Sequence, residues 1–220
     1  VSSTRMPQMV VLAGGLGTRL GNLTKSVPKS LIEVDGEPIL SHILEWGRGQ
    51  GCRDALILIG HLGEEFEGFS HRGMNIQFVQ EIEPLGTGGA IWNARQYLED
   101  EFILLWGDDY HPIDYDVLLK RHREHGMSLT MTVIESHEDH NLHHENGRVI
   151  QYSKTGDGEK FNGYEAGTSI VKRSVVESLG KDGSWSWEET IYPELAGEIH
   201  AHLDETRFWD MGTPERLEKL

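Results

Sequence analysis

Short, fully apolar runs alternate along this chain with stretches of helical periodicity, and that alternation limits the folds open to it. Met9–Leu12, Ala55–Ile59 and Phe102–Trp106 carry no polar residue. Runs this short without polar alternation fit strands covered on both faces. Ile76–Val79 and Ser128–Ile134 read as further strands. Between them, Pro38–Trp46 reads as a helix, with proline near its first turn and Gly47 after it. Glu64–Phe69 reads as a short helix. Thr87–Leu98 has helical spacing through Ala90, Ile91, Ala94 and Leu98, and Asp114–His125 forms another helix. Strands joined through helices imply right-handed βαβ units. The expected class is therefore α/β, with a mostly parallel sheet and helices on both faces.

After Gly147 the pattern changes. Arg148–Ser153 and Ala166–Val171 flank a turn-rich stretch and read as antiparallel strands added to the sheet. Trp187–Ala196 reads as a helix, Ile199–Leu203 and Arg207–Trp209 as short strands, and a last helix is expected near Pro214. No repeat and no proline- or serine-rich linker divides the 220 residues. One domain is expected, 1–220, with a nucleotide half at about 9–110 and a second half at about 111–220.

Composition narrows the partners. The net charge is −16, which argues against nucleic acid, whose phosphates demand clustered lysine and arginine. A single small anion needs only a local positive site. No apolar run of about 18 residues is present, so no membrane span is expected. Val1–Gln8 lacks an apolar leader segment, and the one cysteine, Cys52, reads as a buried thiol. A cytoplasmic location is the expectation. His137, His140, His143 and His144 are irregularly spaced and read as a solvated loop rather than a zinc site.

In open α/β sheets ligands sit beyond the carboxyl ends of the strands. The loops after Leu12, Val79 and Trp106 lie there. The first runs Ala13-Gly14-Gly15-Leu16-Gly17-Thr18-Arg19-Leu20. Its glycines let the backbone approach an anion and present N–H groups to it, and Arg19 adds a permanent charge. Lys29 follows in Pro28-Lys29-Ser30-Leu31. This is not a Walker A loop, because Lys25-Ser26 follows Thr24 rather than glycine. Nor is it a dinucleotide fingerprint, because Leu20 stands where the third glycine belongs.

Taken together, Gly14-Gly15-Leu16-Gly17-Thr18-Arg19-Leu20 with Pro28-Lys29 resembles the signature of the sugar-phosphate nucleotidyltransferase family. So do Gln80-Glu81 followed by Pro84-Leu85-Gly86-Thr87-Gly88-Gly89-Ala90, Gly107-Asp108, Glu165-Ala166-Gly167, and Trp209-Asp210-Met211-Gly212-Thr213-Pro214. The wording is most similar to heptose 1-phosphate guanylyltransferases and N-acetylmuramate 1-phosphate uridylyltransferases. The resemblance implies a three-layer Rossmann-like fold and transfer of a nucleoside monophosphate from an NTP to a sugar 1-phosphate, with Mg²⁺ as cofactor. GTP is favoured, with UTP or CTP also admitted, and a homo-oligomer is left open.

The resemblance also implies roles. Leu12, Ala13, Gly14, Gly15, Gly17 and Thr18 would cradle the NTP phosphates. Arg19 and Lys29 would neutralise them and the leaving pyrophosphate. Gln80, Gly86 and Thr87 would meet the nucleotide, with Gln80 and Gly86 on the base. Asp108 and Asp210 would share the Mg²⁺, Asp108 acting in catalysis. Asp109 and Asp114 rank lower, since acidic residues near a helix start are favoured anyway. Lys154, Glu165 and Gly167 would bind the sugar phosphate. Two departures stand out: Ser153-Lys154-Thr155 replaces the family's Glu-Lys-Pro, and Asp108 is followed by Asp109.

The implied chemistry is in-line attack of an acceptor phosphate oxygen on the α-phosphorus. That nucleophile is already an anion, so positioning and charge neutralisation carry the burden rather than a general base. Cytidylyl transfer to phosphocholine or a phosphonate, and a non-catalytic nucleotide-binding regulatory module, remain alternatives. Trp185, Trp187 and Trp209 read as core aromatics, and Trp106 as packing beneath the metal loop.

Overall fold

The structure is a computed structural model that describes residues 5–15 and 26–210. Gly17, Thr18, Arg19 and the helix expected near Pro214 lie outside the described residues.

Among the described residues, nine strands form one continuous sheet. They are β1 (Gln8–Leu12), β4 (Asp54–Ile59), β5 (Asn75–Gln80), β6 (Glu101–Trp106), β8 (Leu129–Ile134), β9 (Leu142–Glu145), β10 (Arg148–Tyr152), β11 (Tyr164–Lys172) and β12 (Ile199–Leu203). Four two-residue strands make two small ladders: β2 (Glu33–Val34) with β3 (Glu37–Pro38), and β7 (Asp109–Tyr110) with β13 (Trp209–Asp210). The helices are α1 (Ile39–Gly49), α2 (Gly86–Asn93), α3 (Tyr115–His125), α4 (Arg173–Leu179) and α5 (Trp187–Glu194).

The sheet order is β5-β4-β1-β6-β11-β8-β12-β10-β9. The four strands of the first half run parallel. Beyond β6 the sheet is mixed: β11 is antiparallel to both β6 and β8, β12 is parallel to β8, and β10 and β9 close the edge antiparallel. Because β11 pairs directly with β6, both halves of the chain share one sheet.

The two faces explain the uninterrupted apolar runs. Successive strand residues point to opposite faces. Val10, Leu12, Leu56, Leu58, Phe102 and Leu104 pack with Ile91 of α2, Val175 and Val176 of α4, and Ile191 of α5. Met9, Val11, Ala55, Ile57, Ile103 and Leu105 pack with Ile39 to Leu44 of α1 and with Leu118 and Leu119 of α3. Both faces are covered, so polar residues have no place in these strands. Cys52 is fully buried, and burial pushes its thiol up to about 12.

Several boundaries follow local chemistry. The Asp114 side chain accepts from Val117 N at 3.0 Å and caps α3, whose other end stops at Gly126 with φ +66°. The segment expected as one helix to Leu98 instead ends at Asn93 and continues as a 3₁₀ turn over Arg95–Tyr97. There the Arg95 guanidinium donates to the Trp92 carbonyl at 2.9 Å. The strand expected at Arg207–Trp209 is shifted to Trp209–Asp210. The ladder of β2 with β3, the helix α4 and the strand β9 have no counterpart in the sequence reading.

The histidine-rich stretch is half strand rather than all solvated loop. His143 and His144 lie in β9, and His144 faces Glu135 at 3.0 Å. His137 stacks on Tyr164, with ring centroids 3.9 Å apart. Asn146 and Gly147, with φ +51° and +73°, form the two-residue turn that folds β9 back on β10 as a local hairpin.

Candidate functional site

Parallel register brings the strand ends of the first half together. Leu12 lies beside Leu58 and Trp106, and Ile59 beside Gln80. The loops leaving those strands therefore emerge side by side. Gly107 N donates to Leu12 O at 2.9 Å, and Ala13 N to Leu58 O at 2.8 Å. A Cβ on Gly107 would lie 2.9 Å from that Leu12 oxygen, so only glycine lets the two loops touch. Leu12 and Ala13 are buried at the mouth, whereas Gly15 is exposed with open space around it.

Asp108 follows Gly107 directly. Lys29, from the 3₁₀ turn Lys29–Leu31, forms an ion pair with the Asp108 carboxylate. Asp109 and Asp210 stand directly opposite one another in the ladder of β7 with β13. Carboxylate oxygens of Asp108, Asp109 and Asp210 all lie within 4.8 Å of one another. Burial, and then the charges of Asp108 and Asp210, push the Asp109 carboxyl well above its ordinary range, with Lys29 acting the other way. Like charges opposed across a ladder repel. Such a group of hard oxygen donors fits a hard divalent cation. The two aspartates given to the metal are thus brought together, and Asp109, ranked below them, stands with them.

Glu165 and Gly167 reach the same region from β11. The strand's register shifts between Glu165 and Ser169, and Gly167 adopts φ +77°. A Cβ there would lie 2.7 Å from the Trp106 ring and 3.0 Å from an Asp109 oxygen. Glu165 accepts from Gly167 N at 2.8 Å. Burial raises the Glu165 carboxyl to about 7; the Gly167 amide opposes that shift and the Glu188 charge adds to it.

The second glycine loop is moulded against the entry to α5. Trp185 N donates to Leu85 O at 2.9 Å, and Gly88 N to Trp185 O at 3.0 Å. Gly86 has φ +67°, and a Cβ on it would fall 2.6 Å from Trp185 O; one on Gly88 would fall 2.1 Å from the Trp185 ring. Trp185 and Trp187 are buried, as core aromatics should be. The Thr87 hydroxyl donates to Glu188 at 2.6 Å and accepts from Trp187 N at 2.8 Å, so it ties loop to helix. Gln80 is exposed and lies over Gly63. Its neighbour Glu81, given no role from sequence, accepts from Leu85 N at 3.1 Å and sits against Gly14 and Gly60.

Lys154 pairs with Glu188 at 3.1 Å and lies 3.9 Å from Glu189. Sequence reasoning missed Glu188. The one available signal was Ser186-Trp187-Glu188-Glu189, a serine N-cap with glutamate three residues on, which marks a helix start and not a site. A cavity of about 480 Å³ opens beside Asp210, walled by His137, Phe208 and Trp209 and edged by Arg207.

Comparison with known proteins agrees with this architecture. A family model described as "Nucleotidyl transferase" matches residues 8–162. The chain is 28% identical over 226 residues to the mannose-1-phosphate guanylyltransferase of Mycobacterium tuberculosis, covering 97% of this chain and 63% of that protein. It thus spans about three fifths of the length of the mannose-1-phosphate guanylyltransferases it matches. It is 26% identical to the D-glycero-alpha-D-manno-heptose 1-phosphate guanylyltransferase of Aneurinibacillus thermoaerophilus, covering 96% of both. The crystal structure of HddC from Yersinia pseudotuberculosis superposes with a TM-score of 0.84 at 28% identity, covering 97% of both chains.

Proposed function

From the chain's membership of the nucleotidyl transferase family, we propose that it transfers a nucleoside monophosphate from an NTP to a sugar 1-phosphate, releasing pyrophosphate. The observation that carries the reading is the triad of Asp108, Asp109 and Asp210 beside Lys29, at the mouth where the first glycine loop leaves β1. Phosphoryl-type transfer asks a protein for positioning and charge neutralisation, and these residue types supply both. The backbone from Leu12 to Gly15, continuing through Gly17 and Thr18, would hold the triphosphate. Lys29 and Arg19 would neutralise the phosphates and the departing pyrophosphate. Gln80, Gly86 and Thr87 would frame the nucleotide. Glu165 and Gly167 would bind acceptor hydroxyls, and Lys154 the acceptor phosphate.

Asp108 and Asp210 would hold Mg²⁺. When bound, the ion supplies positive charge to phosphate oxygens and relieves the repulsion among the three carboxylates. The guanine base is favoured by relatives named as guanylyltransferases and by a similar structure of HddC described as complexed with GMP-PN. A relative named glucose-1-phosphate cytidylyltransferase, 28% identical, makes CTP the competitor to test.

The test is pyrophosphate release with Mg²⁺ and each of GTP, CTP, UTP, ATP and dTTP against a panel of sugar 1-phosphates and phosphocholine. Release with GTP and a sugar 1-phosphate supports the reading. Release confined to phosphocholine overturns the acceptor class. Nucleotide binding without release from any pair overturns the catalytic reading and favours a regulatory module.

A further inference from the structure

We propose that Glu188 is a positioning residue that holds the acceptor-phosphate lysine and the nucleotide loop in register through the two oxygens of one carboxylate. The inference rests on the proposed transferase reading, in which Lys154 meets the acceptor phosphate and the Leu85–Gly89 loop frames the nucleotide. Glu188 lies in the first turn of α5, behind the Ser186 N-cap, and is only 8% exposed. Its Oε2 accepts from Thr87 Oγ1 at 2.6 Å and from Ser186 Oγ at 3.1 Å. Its Oε1 faces Lys154 Nζ at 3.1 Å. Thr87 in turn accepts from Trp187 N at 2.8 Å, so the hydroxyl has a fixed direction on both sides.

Buried carboxylates cost free energy unless every lone-pair direction finds a donor. Here the donors come from three separate segments: the second glycine loop, the α5 cap, and the turn after β10. Only a group required in one place by all three satisfies that arrangement. The Lys154 ammonium has three donors. One rests on Glu188, which leaves the others to meet an acceptor phosphate while the side chain, half exposed at 47%, is kept from wandering. The two substrates approach from different halves of the chain, and in-line transfer depends on their mutual placement to a fraction of an ångström. A single carboxylate touching both supports is the shortest mechanical link between them.

The experiment is a double-mutant cycle in the full chain. Glu188→Gln keeps an oxygen for Thr87 but presents no charge to Lys154. The expected result is a loss of at least about tenfold in kcat/KM for the sugar 1-phosphate, with KM for the NTP within about twofold of wild type. In a Lys154→Met background the same substitution should change acceptor kcat/KM by less than about twofold, because its effect runs through the lysine. An equal loss in both backgrounds, or a parallel rise in KM for the NTP, overturns the proposal in favour of a purely structural glutamate.

Should Glu188→Gln not fold, amine acylation of the wild-type chain decides. Lys154 held on Glu188 should react at least about fivefold more slowly than exposed Lys120, and equal rates overturn the pairing. A wild-type protein silent with every acceptor would count against the transferase reading itself. A working wild type matched by Glu188→Gln would count against this inference alone.

Discussion

Lowering the pH should unfold this protein through histidines that are buried in the neutral form. His122 is the clearest case. It is fully buried between α3 and β8, and its Nδ1 meets Thr130 Oγ1 at 2.8 Å. Its Nε2 is buried with no hydrogen-bond partner. The neutral ring tolerates this, but the cation must donate from both nitrogens, and one donor would point into apolar packing. Burial accordingly lowers its pKa to about 4. A base whose folded pKa is depressed contributes stability that is present above the unfolded pKa of about 6.5 and is lost as pH falls towards the folded value. At pH 5 the linkage loss is about 2 kcal/mol for this one residue. Because pH 5 lies above the folded value, that magnitude depends chiefly on the unfolded pKa. His111, 5% exposed and likewise lowered to about 4 by burial, adds a loss of similar size.

The assay is urea unfolding at pH 7 and pH 5 for the wild type and His122→Asn, which keeps a polar atom near the Nδ1 position. The variant should be weaker at pH 7 through lost packing. The gap between the two proteins should then narrow by about 2 kcal/mol on going to pH 5, or about 1 M urea at an m-value near 2 kcal/mol/M. A gap that stays constant with pH would refute the assignment of acid lability to His122.

Other consequences can be measured separately. Glu165 behaves with the opposite sign: its carboxyl is raised to about 7, so the stability it lends is complete below about pH 4.5 and is lost as pH rises through 7. Glu165→Gln, assayed in EDTA, should remove about 3 kcal/mol of that loss between pH 4 and pH 8, and an unchanged slope would refute it. Gly88→Ala should cost about 1–3 kcal/mol through overpacking against the Trp185 ring and raise KM for the NTP, read by thermal melts and kinetics. Asp108→Asn should lose at least about 100-fold in kcat with a melting temperature close to wild type, and normal turnover would remove Asp108 from the metal site. Cys52 should resist thiol reagents in the folded state and react once urea unfolds the chain.

The elements with the strongest local signals were legible from residue order alone. Met9–Leu12, Ala55–Ile59 and Phe102–Trp106 are strands because apolar residues at every position have only one low-energy place, the middle of a two-sided sheet. Asp114 and Gly126 bound α3 through capping chemistry that acts within four residues. Gly14-Gly15, Lys29, Asp108 and Asp210 were recognisable as a set, and the described members converge on the strand ends, with Lys29 placed against Asp108 and Asp210 beside it.

Other features depended on contacts between distant segments. Asp109 joins Asp108 and Asp210 only because β7 pairs with β13 across about a hundred residues of chain. Gly86 of the second loop reads as a base contact, yet the missing Cβ atoms of Gly86 and Gly88 also admit Trp185. Glu188 carries no local mark beyond a helix start, and its partners Thr87 and Lys154 stand 101 and 34 residues away. Propensity and capping act over a few residues and are written in order along the chain. Burial, charge pairing and close approach act through space, and only the folded sheet decides which side chains they join.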